Sequence, residues 1–342
     1  MNNYLTKLYN IDAEGNYDEI SIHINCWEQI IYNALKNYEI EYEFAFCDQI
    51  NLYLNKIGTT FEMECISTNI HEDLYKVEVV EIEVDIFETI NTLLDSGEIL
   101  GVATAFNLLP PYIYYDEESI EVHNKHFMTM IGRDEEEYYF VESPLLIAKE
   151  RNTTYFENPT INVIKKEVLQ KAFKVSSSIR RVFINKKQLS EIDKLSDVIG
   201  MIIRDYKGEG MLLDSSKDVY VGRKAFQEFI KILKENKLGY TESNFLQSHF
   251  PAHICYSRRM LLKKCLEKSK NEKHQISYIK CLGLLDDSIN KWSLLKRSIL
   301  KNIYIKDETR KFGEDFRKNI IKIVEEILII EDELISCLEQ LY

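Results

Sequence analysis

Apolar residues recur at two different periods along this chain, and the change between them falls just past its midpoint. In Cys26 to Tyr38 (CWEQIIYNALKNY), Trp27, Ile30, Ile31, Ala34 and Leu35 share helical spacing, which predicts a helix beginning at or just before Cys26. A second short helix is expected over Phe46 to Ile57. Tyr75 to Val84 (YKVEVVEIEV) alternates and is β-rich, predicting a strand that leads into a helix over Ile86 to Ser96, closed by Gly97. Ile99 to Phe106 (ILGVATAF) reads as a buried strand and Leu109 to Tyr115 as a proline-aromatic loop. Phe127 to Gly132 and Tyr138 to Glu142 form a hairpin around Arg133 to Glu137, and Arg180 to Asn185 is a last strand.

Beyond that point the period becomes helical throughout. Leu189 to Tyr206, Arg223 to Lys237, His253 to Lys270, Gln275 to Tyr304 and Asp307 to Leu341 all fit helices, with Pro251 suited to a helix start and Gly239 to a helix stop. The pattern therefore predicts an α+β domain over residues 1–187 and an all-helical domain over 188–342. No internal repeat, GxGxxG or Walker-type phosphate loop interrupts either half.

Composition sharpens this division. The 342 residues are 45% apolar with only 5 Pro and 12 Gly, as expected of folded chain with sizeable cores. Residues 1–180 hold 13 Lys/Arg and 32 Asp/Glu, a net of −19, whereas 181–342 hold 30 and 24, a net of +6. Such asymmetry supports a boundary between the halves and disfavours nucleic acid as a ligand of the acidic one. The start MNNYLTKLYN lacks an export pattern and no stretch reaches the roughly 20 apolar residues of a membrane span, so a cytoplasmic protein is expected. Its 7 Cys are an odd number without a secretory context, which argues against a disulfide framework.

Two segments carry chemistry. A thiol becomes nucleophilic when a helix N-terminus or a neighbouring imidazole favours its thiolate, and Cys26 in INCWEQII sits at a predicted helix start. Taken on its own, such a cysteine is better explained as a buried core residue in the first turn of the helix. The segment from His126 to Pro144 changes the picture: a His leads an apolar strand, a Gly-plus-acidic turn follows, then a second strand ends in Glu142 before Ser143-Pro144. That order sets an imidazole and a carboxylate on adjacent strands, giving a candidate Cys26–His126–Glu142 triad of papain-like type in which Glu142 orients the ring and His126 faces the thiol.

Cys26 at a helix start, the VDIF segment Val84 to Phe87, the Leu109-Pro-Pro-Tyr112 loop and HFMTMIGRDEEEYYFVESP together resemble the N-terminal domain of the butirosin-biosynthesis H (BtrH-like) family, itself similar to bacteriocin leader-processing peptidases. The resemblance spans roughly residues 15–185, and the helical region resembles, more weakly, the accessory domain often attached to that family. It implies a papain-like fold and an acyltransferase. Cys26 would take an acyl group from a 4'-phosphopantetheine thioester on an acyl or peptidyl carrier protein, His126 would relay protons, and a small-molecule amine would release an amide of natural-product (antibiotic) type. No cofactor bound to the chain itself is implied. A leader-processing cysteine peptidase and a non-catalytic binding protein that kept the fold are the alternatives. The chain departs from the papain pattern at Ile20, where a Gln would serve the oxyanion, so the donor is left between Asn25 and Ser21 beside the Cys26 backbone N–H. It departs again in having Glu where Asp or Asn is commoner.

The apolar loop Asn107 to Tyr115 (NLLPPYIYY) is a candidate wall of a substrate channel, with Leu109, Tyr112 and Trp27, or else packs beneath the sheet. The basic run Arg258, Arg259, Lys263, Lys264, Lys268, Lys270 and Lys273 is a solvated helix face or a docking surface for an acidic carrier protein, led by Arg258, Arg259 and Lys263. His23 with Cys26, His123 with His126, and His249, His253 and Cys255 lack the paired spacing of zinc sites, and no metal is expected.

Overall fold

The computed structural model describes residues 26–37, 46–57, 60–66, 75–82, 85–112, 115, 125–142, 161–173, 177–184, 195–209, 219–235, 242–269, 275–303 and 313–341. The architecture is α+β, with eight α-helices and two antiparallel sheets among these residues. It divides into two units, one of Met1–Tyr42 with Glu72–Leu189, the other of Glu43–His71 with Ser190–Tyr342. The expected boundary at 187/188 is thus corrected. A single cut in sequence misses that residues 43–71 belong with the C-terminal half.

In the first unit, α1 is Cys26–Asn37, β3 is Tyr75–Val80, α2 is Ile86–Asp95 and β4 is Leu100–Ala105. Then come β5, Lys125–Arg133, β6, Glu137–Val141, β7, Ile161–Lys165, α3, Lys166–Phe173, and β8, Ser177–Ile184. The sheet order is β3-β8-β4-β5-β6-β7, antiparallel throughout.

Local chemistry explains the boundaries. Asp85 caps α2 by accepting the backbone N–H groups of Phe87 and Glu88 at 2.8 and 3.1 Å, and Gly97 ends it at φ 86°, a left-handed conformation that a side chain disfavours. Asp134 holds the β5–β6 turn by accepting from the N–H groups of Glu136 and Glu137 and from the Tyr139 hydroxyl.

Alternation gives the sheet two apolar faces. Leu100, Val102, Met128, Met130 and Phe140 pack with Phe87, Ile90 and Leu94 of α2 and Leu169 and Phe173 of α3. On the other face, Gly101 lies under Ile30 of α1, so closely that a methyl group built there would collide with that side chain. Glycine in mid-strand therefore lets α1 approach β4.

The second unit overturns two expectations. Phe46–Ile50 is a turn and Asn51–Ile57 a strand, β1, rather than a helix. It pairs with β2, Thr60–Ile66, and with the short β9, Val219–Val221. The unit is accordingly not all-helical. The expectation failed because Leu52 and Leu54 alternate with Tyr53 and Asn55, a strand period that a short apolar run conceals; Phe61, Met63 and Cys65 alternate with Glu62 and Glu64 as well.

The helices of this unit are α4, Leu195–Lys207, α5, Arg223–Glu235, α6, Glu242–Ser269, α7, Gln275–Ile303, and α8, Glu314–Leu341. Pro251 lies inside α6 rather than at its start. Among the described residues no helix is long and apolar enough to cross a membrane.

Candidate active site

Three elements of the first unit converge on one cluster. Cys26 is the first residue of α1 and its thiol is half-buried, the other six cysteines being buried. As the opening residue of a helix it stands where backbone N–H groups have no intrahelical acceptor.

His126 is the second residue of β5, directly opposite Thr104 of β4. Thr129 is opposite Val141 in the β5–β6 pair, so continuing that register sets Glu142 beside Met128. His126 and Met128 share one face because side chains alternate, and Glu142 is thus a diagonal neighbour of His126 across the strands. The contact follows: His126 Nε2 and Glu142 Oε2 are 2.5 Å apart, with side-chain exposures of 12% and 1%.

The Cys26 thiol is hydrogen-bonded to the same imidazole. Burial of His126 opposes its protonation, but the Glu142 charge, the hydrogen bonds to Cys26 and Glu142 and the charge of Cys26 outweigh it, raising the imidazole pKa from 6.5 to about 10. The ring is therefore an imidazolium at neutral pH.

Tyr112, expected to line a substrate channel, is instead fully buried. Its hydroxyl donates to Glu142 Oε2 at 2.9 Å and its ring meets that of His126 edge-on at 5.5 Å between centroids. Burial and the adjacent Glu142 charge push the Tyr112 phenol well above its ordinary value, so it remains a donor. Leu109 is likewise wholly buried in the core beside the sheet. Both residues are corrected from channel to packing roles: an apolar, aromatic loop is legible in sequence, but the side of the sheet it covers is not. Tyr112 is the site residue that sequence reasoning misassigned, because nothing in Pro-Pro-Tyr announces a hydroxyl aimed at a carboxylate about 30 residues away.

Ser21, His23, Asn25 and His123 lie outside the described residues, as does the Trp27 side chain, although Trp27 is within α1. The carrier-docking expectation on α6 is corrected for its two leading residues. Arg258 and Arg259 are each 1% exposed and so form no surface. Arg259 is ion-paired with buried Glu331 at 2.6 Å. Lys263 is half-buried and paired with Asp286 and Glu267. A run of basic residues on a helix of period 3.6 covers several faces, and Arg258 and Arg259 fall on the inner one.

Among the described residues, no three His, Cys, Asp or Glu side chains are grouped to hold a metal ion. No protein-family model matches the chain, and no curated protein matches it.

Proposed function

We propose that this chain is a cysteine-dependent acyltransferase of papain-like architecture, carrying an acyl group from a carrier-protein thioester through Cys26 to an amine. The single observation behind this reading is the meeting of Cys26, His126 and Glu142, distant in sequence, at one end of a helix-backed antiparallel sheet. A helix presenting the thiol, with imidazole and carboxylate on neighbouring strands, is the arrangement that acyl transfer through sulfur needs.

The chemistry balances without a further reactant. The Cys26 sulfur attacks the thioester carbonyl, the new C–S bond forms as the bond to the phosphopantetheine sulfur breaks, and that leaving thiolate takes the proton held by His126. The amine then attacks the acyl-Cys26 carbonyl, its proton passes to His126 and on to the departing sulfur, and an amide leaves. Thioester exchange is nearly isoenergetic, so no nucleotide is required.

Two of the influences that raise the His126 pKa come from Cys26 itself. Acylation removes both, which lowers the pKa toward neutrality and readies the imidazole to accept the amine proton. Glu142 acts as a positioning residue, holding the ring by Nε2, and Tyr112 holds Glu142 in turn.

The test is incubation with carrier proteins loaded with acyl thioesters, followed by intact-mass analysis. An acyl adduct at Cys26, absent in Cys26→Ser and discharged to an amide on adding amine, is the expected result. Discharge to free acid alone would indicate hydrolysis by a peptidase-like enzyme. A thiol that accepts no acyl group and alkylates no faster than the six buried ones would leave only a binding protein.

A further inference from the structure

The six cysteines outside the candidate active site are buried in the second unit and lie in pairs: Cys65 with Cys255, Cys47 with Cys265, and Cys281 with Cys337. The first pair differs from the others. Cys65 of β2 and Cys255 of α6 have their sulfurs in direct contact, 2.6 Å apart, the juxtaposition that a disulfide requires. They are 190 positions apart in sequence, a pairing that no motif announces.

A buried cation stands over this pair. Arg259 Nη1 lies 3.9 Å from the Cys65 sulfur and donates to the Cys255 carbonyl at 2.8 Å. Its Nη2 donates to the Ile50 carbonyl at 3.0 Å and its Nε to Glu331 at 2.6 Å. Glu331 also accepts from Ser288. The guanidinium is thus fixed from several sides, with one edge given to sulfur.

We propose that Cys65 and Cys255 form an Arg259-supported dithiol site that a hydroperoxide converts to a disulfide. The Cys65 thiolate attacks one peroxide oxygen; an S–O bond forms, the O–O bond breaks, and the released hydroxide takes up the proton that Cys65 had lost. Cys255 then attacks the sulfenic sulfur. The S–S bond forms, the S–O bond breaks, and hydroxide leaves as water with the Cys255 proton. Two thiols are oxidised and one peroxide is reduced to two waters, or to water and an alcohol.

Electrostatics support this order of attack. Burial alone would raise the Cys65 thiol, but its hydrogen bond to Cys255 and the nearby Arg259 and Arg258 charges lower it, whereas burial and Cys65 push Cys255 up. Elsewhere Cys47 is held up by its hydrogen bond to Cys265 and by burial, and Cys281 by burial and Cys337. Thiolate character decides susceptibility, so Cys65, beside the fixed Arg259 guanidinium, reacts before Cys255.

The test treats the full chain with stoichiometric hydrogen peroxide, blocks remaining thiols under denaturing conditions, and maps disulfide-linked peptides by mass spectrometry. A Cys65–Cys255 cross-link is expected to form on the order of tenfold faster than either other pair. It should be reversible by dithiothreitol and accompanied by a higher Tm, since it closes a long loop. Cys255→Ser should instead leave a sulfenic acid at Cys65, trapped by dimedone on the still-folded chain. Equal rates at all three pairs, or oxidation of Cys65 only after unfolding by urea, would overturn the proposal. Cys26 is followed separately in the same map, so these outcomes do not depend on its acyl chemistry.

Discussion

Replacing Glu142 by Gln tests the electrostatic core of the site with almost no change in shape. The amide can still accept from the Tyr112 hydroxyl and from His126 Nε2, but the charge is gone. In the wild type, the rise of the His126 pKa from 6.5 to about 10 corresponds to roughly 5 kcal/mol favouring the charged imidazole. Burial works against protonation and persists in the variant, whereas the Glu142 contributions vanish, so the midpoint should fall by roughly 1–3. A hydrogen bond to a charged group contributes about 1.5–3 kcal/mol, so alkylation of Cys26 by iodoacetamide at pH 7 should slow about 10- to 150-fold.

NMR of the His126 ring across pH 5–11 reads the midpoint directly, and intact-mass kinetics read the alkylation. Urea denaturation supplies the linked stability. A raised folded-state pKa means that the native chain keeps a proton the unfolded chain has lost between pH 6.5 and about 10. This stabilisation is complete below pH 6.5 and declines as pH rises toward 10, and Glu142→Gln should flatten that decline. A wild-type His126 titrating near 6.5, or an unchanged midpoint in Glu142→Gln, would refute the reasoning.

Two further outcomes follow from packing. Gly101→Val places a branched side chain against fully buried Ile30, so overpacking should destabilise the first unit by about 1–3 kcal/mol in urea melts. By displacing α1 it should also slow Cys26 alkylation. Arg259→Met leaves Glu331 buried without its cation and should cost about 3–5 kcal/mol by thermal or urea unfolding, while Arg259→Met with Glu331→Leu recovers most of the loss. A single substitution that proves neutral would show that Glu331 is compensated by other groups.

Much of the first unit was legible from local signals. The helix opening at Cys26, the Asp85-capped helix before Gly97, the buried strand Leu100–Ala105 and the hairpin bearing His126 and Glu142 each obey a period or a cap that acts within a few residues. Hence the three residues of the candidate site could be singled out before their contacts were known. The second unit was less legible. Its hairpin, Asn51–Ile66, is short enough for strand and helix periods to be confused, and it belongs to a unit whose remaining residues begin only at Ser190.

By itself, then, the sequence determined element type where a period or a cap was long enough to read, as in the first unit but not at Asn51–Ile57, and the kinds of side chain available, because propensity, capping and alternation are local. Tertiary structure alone decided which of those side chains meet. Burial turned Arg258 and Arg259 inward, took Tyr112 from a supposed channel to the Glu142 carboxylate, and brought Cys65 to Cys255. Such partnerships join residues far apart in the chain, where the favourable exclusion of water and satisfaction of buried polar groups depend on the whole packed core and leave no periodic trace.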